Sequence, residues 1–279
     1  MSYKTLVVHV DLGARCALRV DLAAHIAAAH GSHVVGIVAT GLPDVVVTMN
    51  STVPDNIECA AVSEAFLRER AEELARGFER QCVAAGIASH EVRIVTDEAI
   101  DALVRHGRCS DLVIVGQTDP RNRVDGVAAD FPQQVLLHGG APVLIVPYAG
   151  NFRHVGRRAL VAWKDTREAA RALRDALPLL RGAERVVLCQ VGGTEPQPAA
   201  SEDFDAARRW LASHGVALGT RFETSTIDVG DALLSRAADL DADLIVMGGY
   251  GHTRLREWVL GGATRHLLAH MTAPTLMSN

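Results

Sequence analysis

Short uninterrupted apolar runs alternate along this chain with longer stretches in which apolar residues return every three or four positions. KTLVVHVD (4–11), SHVVGIVA (32–39), HEVRIVT (90–96), DLVIVG (111–116) and PVLIVPY (142–148) read as strands. Between them, VDLAAHIAAAHG (20–31), a long segment through Phe66, Leu74 and Phe78, and IDALVRHG (100–107) carry helical periodicity. The pattern then restarts with RRALVAW (157–163), RVVLCQV (185–191), ALGTRFETST (217–226), DLIVMGG (243–249) and PTLMS (274–278). Its helices run through Ala169, Leu173, Leu177 and Leu180, through Phe204, Ala207 and Leu211, over 228–240, and near 262–270, with Thr166 as the cap of the first. Strands that are apolar on both faces and alternate with helices predict an α/β fold with parallel, doubly wound sheets.

The restart is a sequence repeat. DLVIVG at 111 returns as DLIVMG at 243, and L-x-H-x-x-A-P at Leu136 returns at Leu268, both 132 residues later. Two copies of about 130–150 residues each fit ordinary domain sizes. We expect domains at 1–149 and 150–279, with the seam in YAGNFRHVG (148–156). The first copy carries an extra segment, GLPDVVVTMNSTVPDN (41–56), read as a loop or lid.

With 279 residues, 48% hydrophobic and 22% charged, the chain has the composition of a folded protein. A net charge of −5 and 4% aromatic residues argue against a nucleic-acid footprint or an anionic membrane partner. No apolar run approaches the ~18–20 residues of a membrane span, and Asp11 and Arg15 interrupt the N-terminus too early for a signal peptide. The cysteines are 16, 59, 82, 109 and 189, odd in number and widely spaced. They read as reduced thiols in a cytoplasmic protein, neither a disulfide frame nor a zinc site.

The strongest chemical signal is GGYGHTRLREWVLGGAT (248–264). Gly248, Gly251 and Gly261 stand at G-x2-G-x9-G, after a buried strand and before a helix. Glycines let main-chain N–H groups approach a ligand, and the helix N-terminus at Gly262, Ala263 and Thr264 adds donors suited to phosphate oxygens. His252, Arg254, Arg256 and Arg265 stand in or beside the same segment. Neither a P-loop nor a G-x-G-x-x-G fingerprint occurs after a strand. Gly248 and Gly251 alone would be a tight turn; the third glycine in this context makes a phosphate loop.

These residues resemble the universal stress protein family, whose nucleotide motif is G-x2-G-x9-G-[ST]. The resemblance covers the whole chain as two tandem domains. It implies five-stranded parallel sheets of order 3-2-1-4-5 and, in many members, ATP at their carboxyl edge. By position it places Ala162, Trp163, Asp165 and Val191 beside the adenine and ribose. ATP, AMP or another adenine nucleotide is the implied cofactor, with Mg as a companion ion. The resemblance also implies that the last strands, near Leu144 and Leu276, pair antiparallel, giving an intra-chain pseudo-dimer or a homodimer. One departure is Gly262, which stands where the family has Ser or Thr; the missing hydroxyl contact is worth only ~1 kcal/mol. The first copy departs further: Asp119 replaces the second glycine, Pro120 removes an N–H, and Asp125 and Asp130 add negative charge. That copy is expected not to bind ATP in this way.

Other candidates read blandly. His266 and His270 are four apart on a helix without a third ligand at suitable spacing, and no metal site is expected. His138 and His270 suit helix C-termini. Asp239, Asp241 and Asp243 read as a solvated turn, and Cys189 as a packed core thiol. Trp163 either stacks on a base or packs in the core. With no nucleophile elbow and no cluster of nucleophile, base and oxyanion loop, no catalytic residue is assigned. The expectation is a stress-response protein that binds an adenine nucleotide in its second copy as a regulatory or sensor module. The alternatives are an interaction protein that binds no nucleotide, and a slow ATP hydrolase or phosphotransferase.

Overall fold

The computed structural model describes residues 2–41, 57–121, 128, 130–192, 202–224, 228–250 and 262–279. They form two compact units, Tyr3–Ala141 and a second built on Pro142–Asn279. In the first unit β1 (Thr5–His9), β2 (His33–Ala39), β3 (His90–Val95) and β4 (Leu112–Gly116) lie in the order β3-β2-β1-β4, all parallel. Helices α1 (Cys16–His30), α2 (Ile57–Ala84), α3 (Ala99–Gly107) and α4 (Phe131–His138) connect and follow them. Phe78 of α2 is fully buried, and its ring lies where a β-carbon on Gly36 would come within 3.0 Å. Gly31, at φ 65°, ends α1 in the left-handed conformation that glycine adopts without strain.

The second unit holds β5 (Val143–Val146), β6 (Arg158–Ala162), β7 (Arg185–Gly192), β8 (Leu218–Thr224), β9 (Leu244–Gly248) and β10 (Thr275–Ser278). Its helices are α5 (Arg167–Asp175), α6 (Leu177–Leu180), α7 (Glu202–Ser213), α8 (Val229–Asp239) and α9 (Gly262–His270). The parallel order β8-β7-β6-β9-β10 is the 3-2-1-4-5 arrangement implied by the resemblance. Strand β5 adds to this sheet antiparallel to β10, with Leu144 opposite Leu276 as expected. Both leucines are fully buried. Because β5 finds its partner there, the compact units divide between Ala141 and Pro142, ahead of the repeat seam read at 148–156.

Local sequence explains the elements. Thr166 Oγ1 accepts from the Ala169 N–H at 3.2 Å and caps α5, whose Ala169, Ala172 and Leu173 are buried. Phe204, Ala207 and Leu211 form the buried face of α7. Cys189 is buried in β7. His138 and His270 are the last residues of α4 and α9. No helix among the described residues is long and apolar enough to cross a membrane.

The aspartate that opens the repeated D-L-[VI] strand has a specific task. Asp243 takes hydrogen bonds from the main-chain N–H groups of Gly156 at 3.0 Å, Arg157 at 3.2 Å and Arg158 at 3.0 Å, and its own N–H donates to Arg158 O at 2.9 Å. In the first unit Asp111 accepts from the Lys4 and Thr5 N–H groups at 2.5 and 3.0 Å and donates to Thr5 O at 2.9 Å. Asp243 is therefore a clamp across β6 and β9 rather than part of a solvated turn. Its neighbour Asp241 does face solvent, at φ 49°, in an ion pair with Arg158 at 2.6 Å. Replacing Asp243 with Ala leaves three N–H groups without their acceptor. Thermal unfolding of Asp243→Ala should report about 1–3 kcal/mol lost stability.

Candidate functional site

In the second unit β6, β7 and β9 end at one edge of the sheet, and the crevice there is open. The carboxyl edge of such a sheet, where strand order reverses between its first and fourth strands, is where open α/β proteins bind ligands. A cavity of about 390 Å³ lies at this edge, lined by Ala162, Trp163, Val191 and Gly248 from the strand ends. Gly262, Ala263 and Thr264 at the start of α9, and Val229 and Leu233 of α8, complete its walls.

Main-chain bonds set the rim. The Trp163 N–H donates to Cys189 O at 2.8 Å, extending the β6–β7 ladder one residue into the cavity. The Gly249 N–H donates to Ser278 O at 2.8 Å, and Tyr250, which also lines the cavity, follows at φ 59°. Gly248 itself has no positive φ. A β-carbon there would lie 2.5 Å from the Ala169 nitrogen and 2.7 Å from the Glu168 carbonyl carbon. This motif glycine is thus demanded by close packing of β9 on the start of α5 rather than by backbone conformation.

Trp163 is half-buried and lines the cavity, yet its indole Nε1 is buried without a hydrogen-bond partner among the described residues. A buried unpartnered donor costs about 1–3 kcal/mol. Lys164 also lines the cavity and is exposed, so it brings positive charge to the mouth. Among the described lining residues there is no His, Asp or Glu to act as a general base. Thr264 is buried, whereas Gly262 is exposed with open space where a β-carbon would stand.

The structure thus brings together seven of the positions singled out in the sequence: Ala162, Trp163, Val191, Gly248, Gly262, Ala263 and Thr264. Asp165 is exposed in the turn before α5 and does not line the cavity. Gly251, His252, Arg254 and Gly261 lie outside the described residues, as do Arg256, Asp125 and residues 42–56 of the insert. Sequence reasoning missed the far wall, Val229 and Leu233, because apolar helix positions carry no chemical signature.

At the matching edge of the first unit the unit's own side chains stand at the ends of β1 and β4, and a cavity of about 330 Å³ lies beside Val10 and Asp11. By strand register His9, the last residue of β1, corresponds to Ala162, and Val10 corresponds to Trp163. Arg19 of α1 is buried and reaches into this edge. Its Nε donates to His9 O at 2.8 Å, and its Nη2 lies 2.9 Å from Asp11 Oδ1. The other Asp11 oxygen lies 3.2 Å from His9 Nδ1, and the Gly13 N–H donates to Asp11 at 2.9 Å. A β-carbon on Gly116 would come within 2.5 Å of Arg19 Nη1, so the guanidinium occupies the end of β4. Burial works against the Asp11 carboxylate, but the Arg19 charge prevails and holds it below the usual range.

Comparisons with known proteins align with this picture. The model of the universal stress protein family matches residues 156–279. Universal stress protein Slr1230 of Synechocystis sp. is 23% identical over 198 residues, covering 69% of this chain. The match spans 66% of that relative's length. A universal stress protein of Archaeoglobus fulgidus DSM 4304 superposes with a TM-score of 0.76 at 16% identity, covering 99% of this chain and 96% of its own. A functionally unknown protein of Pseudomonas aeruginosa PAO1, PA1789, gives 0.59 at 16% identity, covering 98% and 92%. The structural likenesses show a shared fold.

The first unit's edge carries a pH signature. Burial lowers the His9 pKa from 6.5 to about 4, with Asp11 opposing and Arg19 reinforcing the shift. Between those values the unfolded chain binds more protons than the folded one, so stability rises with pH through the window and is fully present above pH 6.5. Urea unfolding at pH 4.5 and pH 7 should differ by about 2–3 kcal/mol from this group alone, and His9→Gln should remove that part of the difference.

Proposed function

We propose that the second repeat, which the universal stress protein family model matches over residues 156–279, binds ATP or a related adenine nucleotide as a regulatory or sensor module. The observation that carries this reading is the open cavity at the carboxyl edge of β6, β7 and β9, with the first turn of α9 and Trp163 in its wall. Its volume, about 390 Å³, falls in the range of small-molecule sites. The apolar wall of Ala162, Val191 and Leu233 suits a flat base, and Trp163 supplies ring surface. At the other end, the N–H groups of Gly262, Ala263 and Thr264 suit phosphate oxygens, with Lys164 as a nearby cation. Gly251, His252, Arg254 and Gly261 complete the phosphate loop in this reading, Asp165 stands at the rim, and Mg²⁺ accompanies the phosphates.

Binding rather than turnover is favoured, because the described lining residues include no His, Asp or Glu as a ready general base. Any hydrolysis is slow. The first repeat does not bind nucleotide in this mode, since Arg19, paired with Asp11, stands at the edge a nucleotide would take. The β5–β10 pairing supports an intra-chain pseudo-dimer of the two repeats. A cytoplasmic location is part of the same proposal.

A second reading, an interaction protein without nucleotide, is favoured by Gly262, which offers no hydroxyl where the family has Ser or Thr. Calorimetry with ATP separates the two. The wild type should bind, Gly251→Asp should weaken binding at least tenfold by placing a carboxylate beside phosphate, and Gly262→Ser should strengthen it about fivefold, ~1 kcal/mol. The open space at Gly262 accommodates that serine. Equal affinity of Gly251→Asp and wild type would reject the assigned loop, and a wild type that binds no adenine nucleotide would establish the second reading.

A further inference from the structure

Beside the cavity, on the outer side of the same two helices, three potential metal ligands converge. Asp228 caps α8, Asp231 stands in its first turn, and His266 projects from α9. One ligand atom from each lies within 4.8 Å of the others. His266 Nε2 is 2.6 Å from Asp231 Oδ1. Asp228 Oδ1 accepts from the Gly230 N–H at 2.7 Å, which orients the carboxylate and leaves its second oxygen for another partner.

The convergence is packed around a glycine. A β-carbon at Gly230 would lie 2.9 Å from Asp228 Oδ1, 3.1 Å from His266 Cδ2 and 3.2 Å from Ala263 O. A methyl group there would require the Asp228 carboxylate, the His266 ring and the α9 backbone each to give by a few tenths of an ångström. The first repeat is an internal contrast. In the aligned D-A-L segment Glu98, Ile100 and Asp101 stand at the positions of Asp228, Gly230 and Asp231, and Gln134 stands 132 residues before His266. The carboxylates are retained there, but the glycine and the imidazole are not. Gln134 bonds within its own surroundings instead, to Asp130 Oδ2 at 2.6 Å.

We propose that Asp228, Asp231 and His266 form a binding site for a divalent transition-metal ion of the Zn²⁺ class. One imidazole nitrogen with two carboxylate oxygens suits such ions better than Mg²⁺ or Ca²⁺, which favour oxygen alone. Three protein ligands with a solvent-facing fourth position make an accessible tetrahedral site. Ligand atoms around a tetrahedral Zn²⁺ stand roughly 3.4 Å apart, given Zn–N and Zn–O bonds of about 2.0–2.2 Å. The His266–Asp231 contact must therefore open by less than about 1 Å. His270, the other member of the i,i+4 pair, is not a ligand: its ring stacks on His266 at 4.3 Å and its Nδ1 bonds His266 O at 2.9 Å, bracing the ring that is. A bound ion would pin α8 to α9, two walls of the cavity.

The test uses untagged full-length protein, stripped with a chelator and free of nucleotide, so its result is independent of ATP binding. Titration calorimetry with Zn²⁺ should show one strong site per chain. Zn²⁺ should also raise the unfolding temperature of the wild type. His266→Gln and Asp231→Asn should each weaken that site at least tenfold and abolish the thermal shift, while His270→Gln leaves the stoichiometry unchanged. Circular dichroism verifies that each variant is folded. Wild-type affinity in folded His266→Gln and Asp231→Asn, or a wild type without a saturable Zn²⁺ site, would overturn the proposal.

Discussion

The crevice in each unit exists because two neighbouring parallel strands are held in one register. Asp243 ties the start of β9 to the start of β6 through three N–H groups, and the ladder then runs Ala159 with Leu244, Leu160 with Ile245 and Val161 with Val246. Strands begun together and of equal length end together, so Ala162 and Gly248 reach the carboxyl edge at one level. Asp111 sets the same register between β1 and β4. The hydrogen bonds at the far end of the sheet thus determine where a ligand can sit.

On that shared frame the two repeats do opposite things. In the first, Arg19 and Asp11 bring a buried ion pair to the edge, braced by His9 O and the Gly13 N–H, and leave the end of β4 occupied. A buried pair of this kind is costly to desolvate and worse to break, so an entering phosphate would have to displace a guanidinium already paired with a carboxylate. In the second, the edge stays open and the Trp163 indole N–H is left without a described partner. Duplication kept the backbone and changed the occupancy.

The glycines teach a related lesson. Gly248, Gly230 and Gly36 all stand at close approaches: to the start of α5, to His266 and Asp228, and to the Phe78 ring. The positive φ expected within the glycine loop falls among the described residues on Tyr250 instead. A glycine in a ligand motif therefore need not serve the ligand directly; at Gly248 it lets a helix close one wall of the site.

Periodicity was enough to read the α/β class and the Thr166 cap, because each depends on local pattern, whereas the strand order and the pairing of Leu144 with Leu276 were read from the resemblance. Much of the ligand edge was legible too, since Ala162, Val191 and Gly248 are strand ends and strand ends are visible as the close of an apolar run. The role of Asp243 was not, because its acceptors' partners lie some 85 residues earlier in the chain. Nor was the place of Arg19 at the first edge, or the meeting of His266 with Asp231, 35 residues apart on different helices. Those depend on how side chains from separate elements approach in space, and no spacing along the chain records that distance.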